Sequence, residues 1–125
     1  MYVLDSSALI ELVEAKPRGR KISEVLGAEP ITTTTICVHE LLVGAQTDRQ
    51  KAVVERIAQS GIILEHTLQA ARVGAIIEQE LAKEQMLINA ADILIAAICK
   101  ANNKILITCD KDFSRIKNLA VKVVK

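Results

Sequence analysis

The sequence predicts an α/β protein: a three-layer α/β/α sandwich around a four- or five-stranded, mainly parallel sheet. Three observations point there. Short aliphatic or β-branched runs are separated by helical patterns of about ten residues, as in parallel βαβ units with right-handed crossovers. The runs lack polar–apolar alternation, as expected of strands covered by helices on both faces. Half of the residues are hydrophobic but only 2% are aromatic, Tyr2 and Phe113 alone, so the core must be aliphatic. The chain has 125 residues and shows no repeat, low-complexity segment or linker, so residues 1–125 read as a single domain. A domain of this size buries about two thirds of its unfolded surface.

Tyr2–Leu4 opens as a strand, and Asp5-Ser6-Ser7 leads into a helix with Ala8, Leu9, Leu12 and Val13 at helical spacing. Pro17, Gly19 and the basic cluster Lys16, Arg18, Arg20 and Lys21 break that helix, and Ile22, Val25 and Leu26 belong to a second. Gly27 and Pro30 punctuate before a β-branched strand at Ile31–Thr34. A helix from Thr35 to Gly44 follows, with Thr35 as its expected N-cap and Gly44 as its stop. Residues 49–59 form another, with Ala52, Val53, Arg56 and Ile57 on one face, ended by Gly61 before a buried strand at Ile62–Leu64. Leu68 to about Glu84 is a long amphipathic helix, and Asn89–Lys100 is the most apolar one. A strand at Lys104–Thr108, a helical turn at Asp110–Ile116 and a last strand at Val121–Val124 complete the chain.

Composition excludes several classes. Sixteen Lys and Arg against 15 Asp and Glu give a net charge of +1, so no global field draws the chain to nucleic acid. The lack of aromatics argues against RNA-binding folds that stack bases on aromatic platforms. No apolar run approaches the ~20 residues of a membrane span, and the start of the chain lacks the pattern of a secretory signal. Cys37, Cys99 and Cys109 lie far apart in apolar surroundings and read as core residues of a reducing, cytoplasmic compartment.

In an open parallel sheet the binding site lies beyond the carboxyl ends of the strands. Asp5 and Ser7 follow the first strand, and Thr108, Asp110 and Asp112 follow the fourth. Glu40 shares a helix face with Ile36 and Val43, interrupting an apolar stripe. Asp92 shares a face with Ile95, Ala96 and Cys99, which should pack on the sheet and draw Asp92 to the same edge. Each acid has an ordinary structural role open to it. Asp5 suits a helix cap, Asp92 a capping box with Asn89 or a dipole partner, Glu40 a solvent boundary, and Asp110 or Asp112 the start of a helical turn.

Four carboxylates on one edge are harder to explain that way. Like charges in a cleft repel and raise one another's pKa. A divalent cation makes the cluster tolerable, and hard oxygen ligands select Mg²⁺ or Mn²⁺. Such an ion can activate water and clamp a phosphodiester, so the pattern points to a nuclease or another phosphoryl-transfer enzyme. Zinc is disfavoured, because His39 and His66 are the only histidines and neither has a partner at ligand spacing. The basic run at Lys16–Lys21 reads either as a phosphate-contacting rim or as a solvated loop, and Lys111 and Arg115 also flank the acidic edge.

DSSALIE at the start, HELL near residue 40, ADILIAA near residue 92 and LITCDKDF near residue 110 resemble, in order and spacing, the PIN-domain ribonucleases. Among these they are most similar to the VapC-type toxins of prokaryotic toxin–antitoxin pairs. The resemblance spans essentially the whole chain. It implies a metal-dependent endoribonuclease with Asp5, Glu40, Asp92 and Asp110 as the acidic quartet. By the same resemblance Asp112 is a further metal-side acid, Ser7 a hydroxyl that orients a water, and Thr108 the hydroxyl ahead of the last acid. It further implies an RNA substrate, an antitoxin partner and a homodimer. A stand-alone RNA-processing nuclease and a non-catalytic PIN-like binding module are the alternatives. Phosphoacceptor folds fit poorly: Ser7 stands where a haloacid-dehalogenase-like phosphatase needs a second Asp, and the middle strands end in Thr34 or Glu65-His66 rather than in an acceptor Asp.

Overall fold

Leu4 and Val3 are neighbours in sequence but bury their side chains on opposite sides of the sheet, and this period-2 split organises the molecule. The computed structural model describes residues 1–125. Strand β1 (Tyr2–Leu4) pairs with β4 (Ile105–Thr108), which pairs with β5 (Val121–Val123), all parallel. Val3 lies opposite Leu106, and Leu4 opposite Ile107. Val3 and Leu106 join a core shared with α5 (Leu68–Lys83) and α6 (Ala90–Ala101), while Leu4 and Ile107 join one shared with α1 (Ser6–Val13) and α2 (Pro17–Leu26). The three layers are therefore α1–α2, sheet, and α5–α6.

The five expected strands are present, but the single sheet is divided. Strands β2 (Thr32–Thr34) and β3 (Ile62–Leu64) form a separate parallel pair. The two sheets meet where β1 lies beside β2, with no backbone ladder between them. Instead the buried Thr33 hydroxyl donates to the carbonyl of Leu4 at 2.7 Å. A buried hydroxyl needs a partner, and the strand-end carbonyl supplies one.

Helices α3 (Thr35–Gly44) and α4 (Asp48–Ser60) connect β2 to β3. The side chain of Thr34, not Thr35, caps α3 by accepting from the Cys37 N–H at 3.1 Å. A reciprocal Thr47–Gln50 capping box starts α4. The buried face of α4 is Val54 and Ile57 rather than the expected Ala52 and Arg56, which are exposed. In α5 the buried stripe is Ala70, Gly74, Ile77 and Leu81. A Cβ at Gly74 would stand 3.2 Å from the Ala97 Cβ, so this small residue lets α5 lie close against α6.

The basic run, expected in the break after the first helix, lies largely inside α2. Pro17 takes the first helical position, where its fixed φ suits helix initiation. At Gly19 a Cβ would meet the Glu11 carbonyl oxygen at 2.2 Å, so only glycine lets α2 cross α1 there. The last turn of α3 lies outside the core, and Val43, expected on an inward stripe with Ile36 and Glu40, is exposed. No helix is long and apolar enough to cross a membrane.

Candidate active site

The carboxyl ends of β1 and β4 lie side by side because the two strands are paired in parallel. Asp5 leaves β1 in an extended conformation and caps α1, its Oδ1 accepting from the Ala8 N–H at 2.9 Å. The Ser7 hydroxyl donates to the same oxygen at 2.7 Å, and the Thr108 hydroxyl donates to Oδ2. Asp5 is thus buried but fully furnished with donors. Burial pushes its pKa up, while the bonds from Thr108, Ala8 and Ser7 pull it back.

Ser7 and Thr108 carry the network across to β4. The Cys109 N–H donates to Ser7 Oγ at 3.0 Å, and the Asp110 N–H donates to Thr108 Oγ1 at 3.0 Å. Asp110 in turn caps the short 3-10 helix over Lys111–Arg115, its Oδ1 accepting from the Asp112 N–H at 2.9 Å. Asp5 and Asp110 therefore do serve as caps. Capping occupies one oxygen of Asp110 and leaves the other without a protein partner.

Glu40 comes to the edge from α3. Its Oε1 accepts from the Ser6 hydroxyl at 2.7 Å. Ser6 was not among the expected site residues, and only the packing of α1 on α3 shows its role. Asp92 sits in the first turn of α6, whose cap is Asn89 accepting from the Ala91 N–H at 2.8 Å. No capping box forms, and the Asp92 carboxylate accepts no hydrogen bond from the protein. Its pKa is raised to about 6, first by burial and then by the charges of Asp110, Glu40, Asp5 and Asp112. Every expected acid thus acts on Asp92, and all five meet at one edge.

None of Asp5, Glu40, Asp92 and Asp110 has a Lys or Arg within ion-pair distance; at this edge only Asp112 does, with Arg115 Nη2 at 3.6 Å. Arg115 also donates to the Leu87 carbonyl at 3.4 Å, tying the loop ahead of α6 to the 3-10 helix. No three His, Cys, Asp or Glu side chains are drawn together tightly enough to enclose an ion directly. What the residues offer is an all-oxygen donor set with uncompensated negative charge, which suits a hard divalent cation that keeps several of its waters. His39 and His66 are exposed.

Comparison with known proteins identifies the family and the fold. The model of the PIN domain family matches residues 2–119. Among solved structures, the chain is similar to VapBC2 from Rickettsia felis bound to a promoter DNA fragment, at 22% identity and a TM-score of 0.82 over 99% of this chain and 98% of that one. It is also similar to FitAcB from Neisseria gonorrhoeae, at 28% identity and a TM-score of 0.79 over 97% and 96% of the two chains. VapBC-5 from Mycobacterium tuberculosis, a member of the VapBC family of toxin-antitoxin systems, matches at 27% identity and a TM-score of 0.76 over 98% and 96%. No curated protein matches the sequence. A family model that runs from the first strand past the 3-10 helix takes in all five edge acids, and the chain belongs to the PIN domain family.

Proposed function

We propose that the chain is a divalent-metal-dependent endoribonuclease, the cytoplasmic toxin of a toxin–antitoxin pair. The observation that carries the reading is the meeting of Asp5, Glu40, Asp92 and Asp110 at one sheet edge without a cationic side chain to balance them. The likeness to VapBC complexes supports an antitoxin partner, and the resemblance to VapC-type toxins supports RNA as substrate and a homodimer as the assembly.

Asp5, Asp92 and Asp110 would hold Mg²⁺ or Mn²⁺, with Glu40 and Asp112 completing the acidic set. Such an ion supplies a Lewis acid for the phosphodiester and lowers the pKa of water. The chain's own residues do the rest. Ala8, Ser7 and Thr108 fix both oxygens of Asp5. Ser6 fixes one oxygen of Glu40 and leaves the other to orient an attacking water. Without an ion Asp92 has a pKa raised to about 6 by burial and by the neighbouring acids; a divalent cation would relieve that repulsion and favour the carboxylate, so Asp92 would serve as a ligand. Water adds to phosphorus in line, the bond to the 3′ oxygen breaks, and the products are a 5′-phosphate and a 3′-hydroxyl. The Ser6 and Ser7 hydroxyls donate to carboxylates and have no histidine base as a hydrogen-bond partner, so a covalent intermediate is not expected.

The test is cleavage of a mixed RNA pool with Mg²⁺ or Mn²⁺, with EDTA, and with Asp92→Asn. Cleavage that needs metal and is lost in the variant is expected. Cleavage retained in EDTA would overturn the metal dependence, and cleavage retained in the variant would remove Asp92 from the site. Absence of both cleavage and metal binding by calorimetry would replace it with a binding module.

A further inference from the structure

The basic run at the start of α2 is not explained by helix stability. Lys16 is the N-cap, Arg18, Arg20 and Lys21 lie in the first two turns, and no acid stands in the first turn. Cations there oppose the helix dipole, which already places partial positive charge at that end. Lys16 pairs with Glu14 at 3.2 Å and Lys21 donates to the Lys125 carbonyl at 3.0 Å, both at the surface. Arg18 differs from both. It donates through Nε to Oε1 of Glu11, whose side chain is only 7% exposed, while the Arg18 side chain is 43% exposed.

The pair is open. A bidentate fork would satisfy both carboxylate oxygens, yet Glu11 Oε2 is buried with no partner. Correspondingly, neither Nη group of Arg18 has a partner in the protein. A pair selected for stability would close this fork, and a buried ion pair is in any case weak evidence for stabilisation. Gly19 presses α2 against the Glu11 carbonyl and fixes the position of Arg18 on α1.

That position adjoins the acidic edge. Glu11 lies one turn beyond Ser7 on the same face of α1. Ser7 in turn bonds both Asp5 and the backbone of Cys109, the residue before Asp110. Arg18, bonded to Glu11, therefore stands about one helical turn from the hydroxyl that holds Asp5. On the other rim Arg115 is engaged by Asp112 and the Leu87 carbonyl.

We propose that Arg18 is a substrate-positioning residue: Glu11 holds it by Nε at the rim so that its two free Nη groups grip a phosphate of the RNA backbone beside the one that is cut. The planar guanidinium suits two phosphate oxygens at once, which a lysine ammonium cannot match. The inference rests on the nuclease reading and names how that site takes its substrate.

The test uses short single-stranded RNA carrying a fluorescent label, read by anisotropy, with Asp92→Asn as the non-cleaving background. Adding Arg18→Gln should raise Kd about tenfold, and should flatten the dependence of log K on log salt by about 0.7, the value of one lost phosphate contact on a single strand. In the cleaving protein the same change should raise KM about tenfold and lower kcat by less than about threefold. Arg18→Lys should keep the salt slope and lose part of the affinity. Urea midpoints and Mn²⁺ titrations accompany each variant. If Arg18→Gln fails to fold, Arg18→Lys decides: affinity equal to the parent's would overturn the grip. Unchanged Kd and slope in a folded Arg18→Gln would overturn it too, reducing Arg18 to a lock between α1 and α2. Absence of metal-dependent cleavage by the parent protein would sink the nuclease reading alone, because the RNA-binding shift is read separately.

Discussion

Helix α1 carries two buried carboxylates, Asp5 at its N-cap and Glu11 further along, each only 5% exposed, and the fold treats them in opposite ways. Glu11 receives a guanidinium. Asp5 receives only neutral donors, two hydroxyls and an N–H, and shares its edge with four more acids. The chain can thus bring a cation to a buried acid on this helix, and at the sheet edge it does not. The charge left over at the edge is a property of the site, set by which helix turn faces the strand ends.

The sharpest break of this contrast is Asp5→Asn. Asparagine keeps the helix cap but removes charge from the edge, and RNA cleavage should fall at least about a thousandfold, roughly 4 kcal/mol in activation free energy. The thermal midpoint should hardly move, which calorimetry checks. Next is Gly19→Ala, which drives a methyl into the Glu11 carbonyl at 2.2 Å. Overpacking of this kind should cost about 2–3 kcal/mol in urea unfolding and disturb the Glu11–Arg18 pair rather than the acids.

The contrast also has a pH signature. Asp92 has a pKa of about 6 in the folded chain, against roughly 3.9 unfolded. Between these values the folded state holds a proton that the unfolded state has lost. Metal-free stability should therefore fall as pH rises from about 4 to about 6 and stay low above that. The shift alone would be worth almost 3 kcal/mol, and solvent screening of a half-buried carboxylate brings it to about 1 kcal/mol. Asp92→Asn should remove its share of the slope, leaving that of Asp5, and make the metal-free protein more stable at pH 7, measured by urea titration at several pH values. The smallest effect is expected of Ser6→Ala, which frees Glu40. Cleavage should drop about threefold to fivefold, under 1 kcal/mol, with metal affinity close to the parent's.

Much of this was legible in the sequence, for a physical reason. Strand ends and helix first turns are local features, so Asp5, Asp92 and Asp110 could be placed at one edge from order and periodicity alone. Glu40 was placed by helix phase, although Val43 on the same phase is exposed, because periodicity fixes a face but not where the core ends. Three features depend on contacts between elements and were not readable. Ser6 holds Glu40 only because α1 packs against α3. Gly19 and the basic run looked like a break, whereas contact with the α1 backbone places them in α2. The buried stripe of α5 runs through Ala70 and Gly74, small residues that carry little hydrophobic signal but admit a close neighbour.

The division of the sheet bears on how the site is held together. Asp5 and Asp110 are carried by the three-stranded sheet, whereas Glu40 follows β2 of the two-stranded one. At the level of the strands the hydrogen bond between the halves is one threonine hydroxyl on one carbonyl, beside the packing of Ile36, Cys37 and Leu64 on the shared core, and at the level of the site it is one serine hydroxyl on one carboxylate. Two hydroxyl groups thus act as the hinge pins of the acidic edge. The spacing of Asp5 and Asp110 is therefore set within one sheet, whereas the reach of Glu40 is set by how the second sheet packs against it.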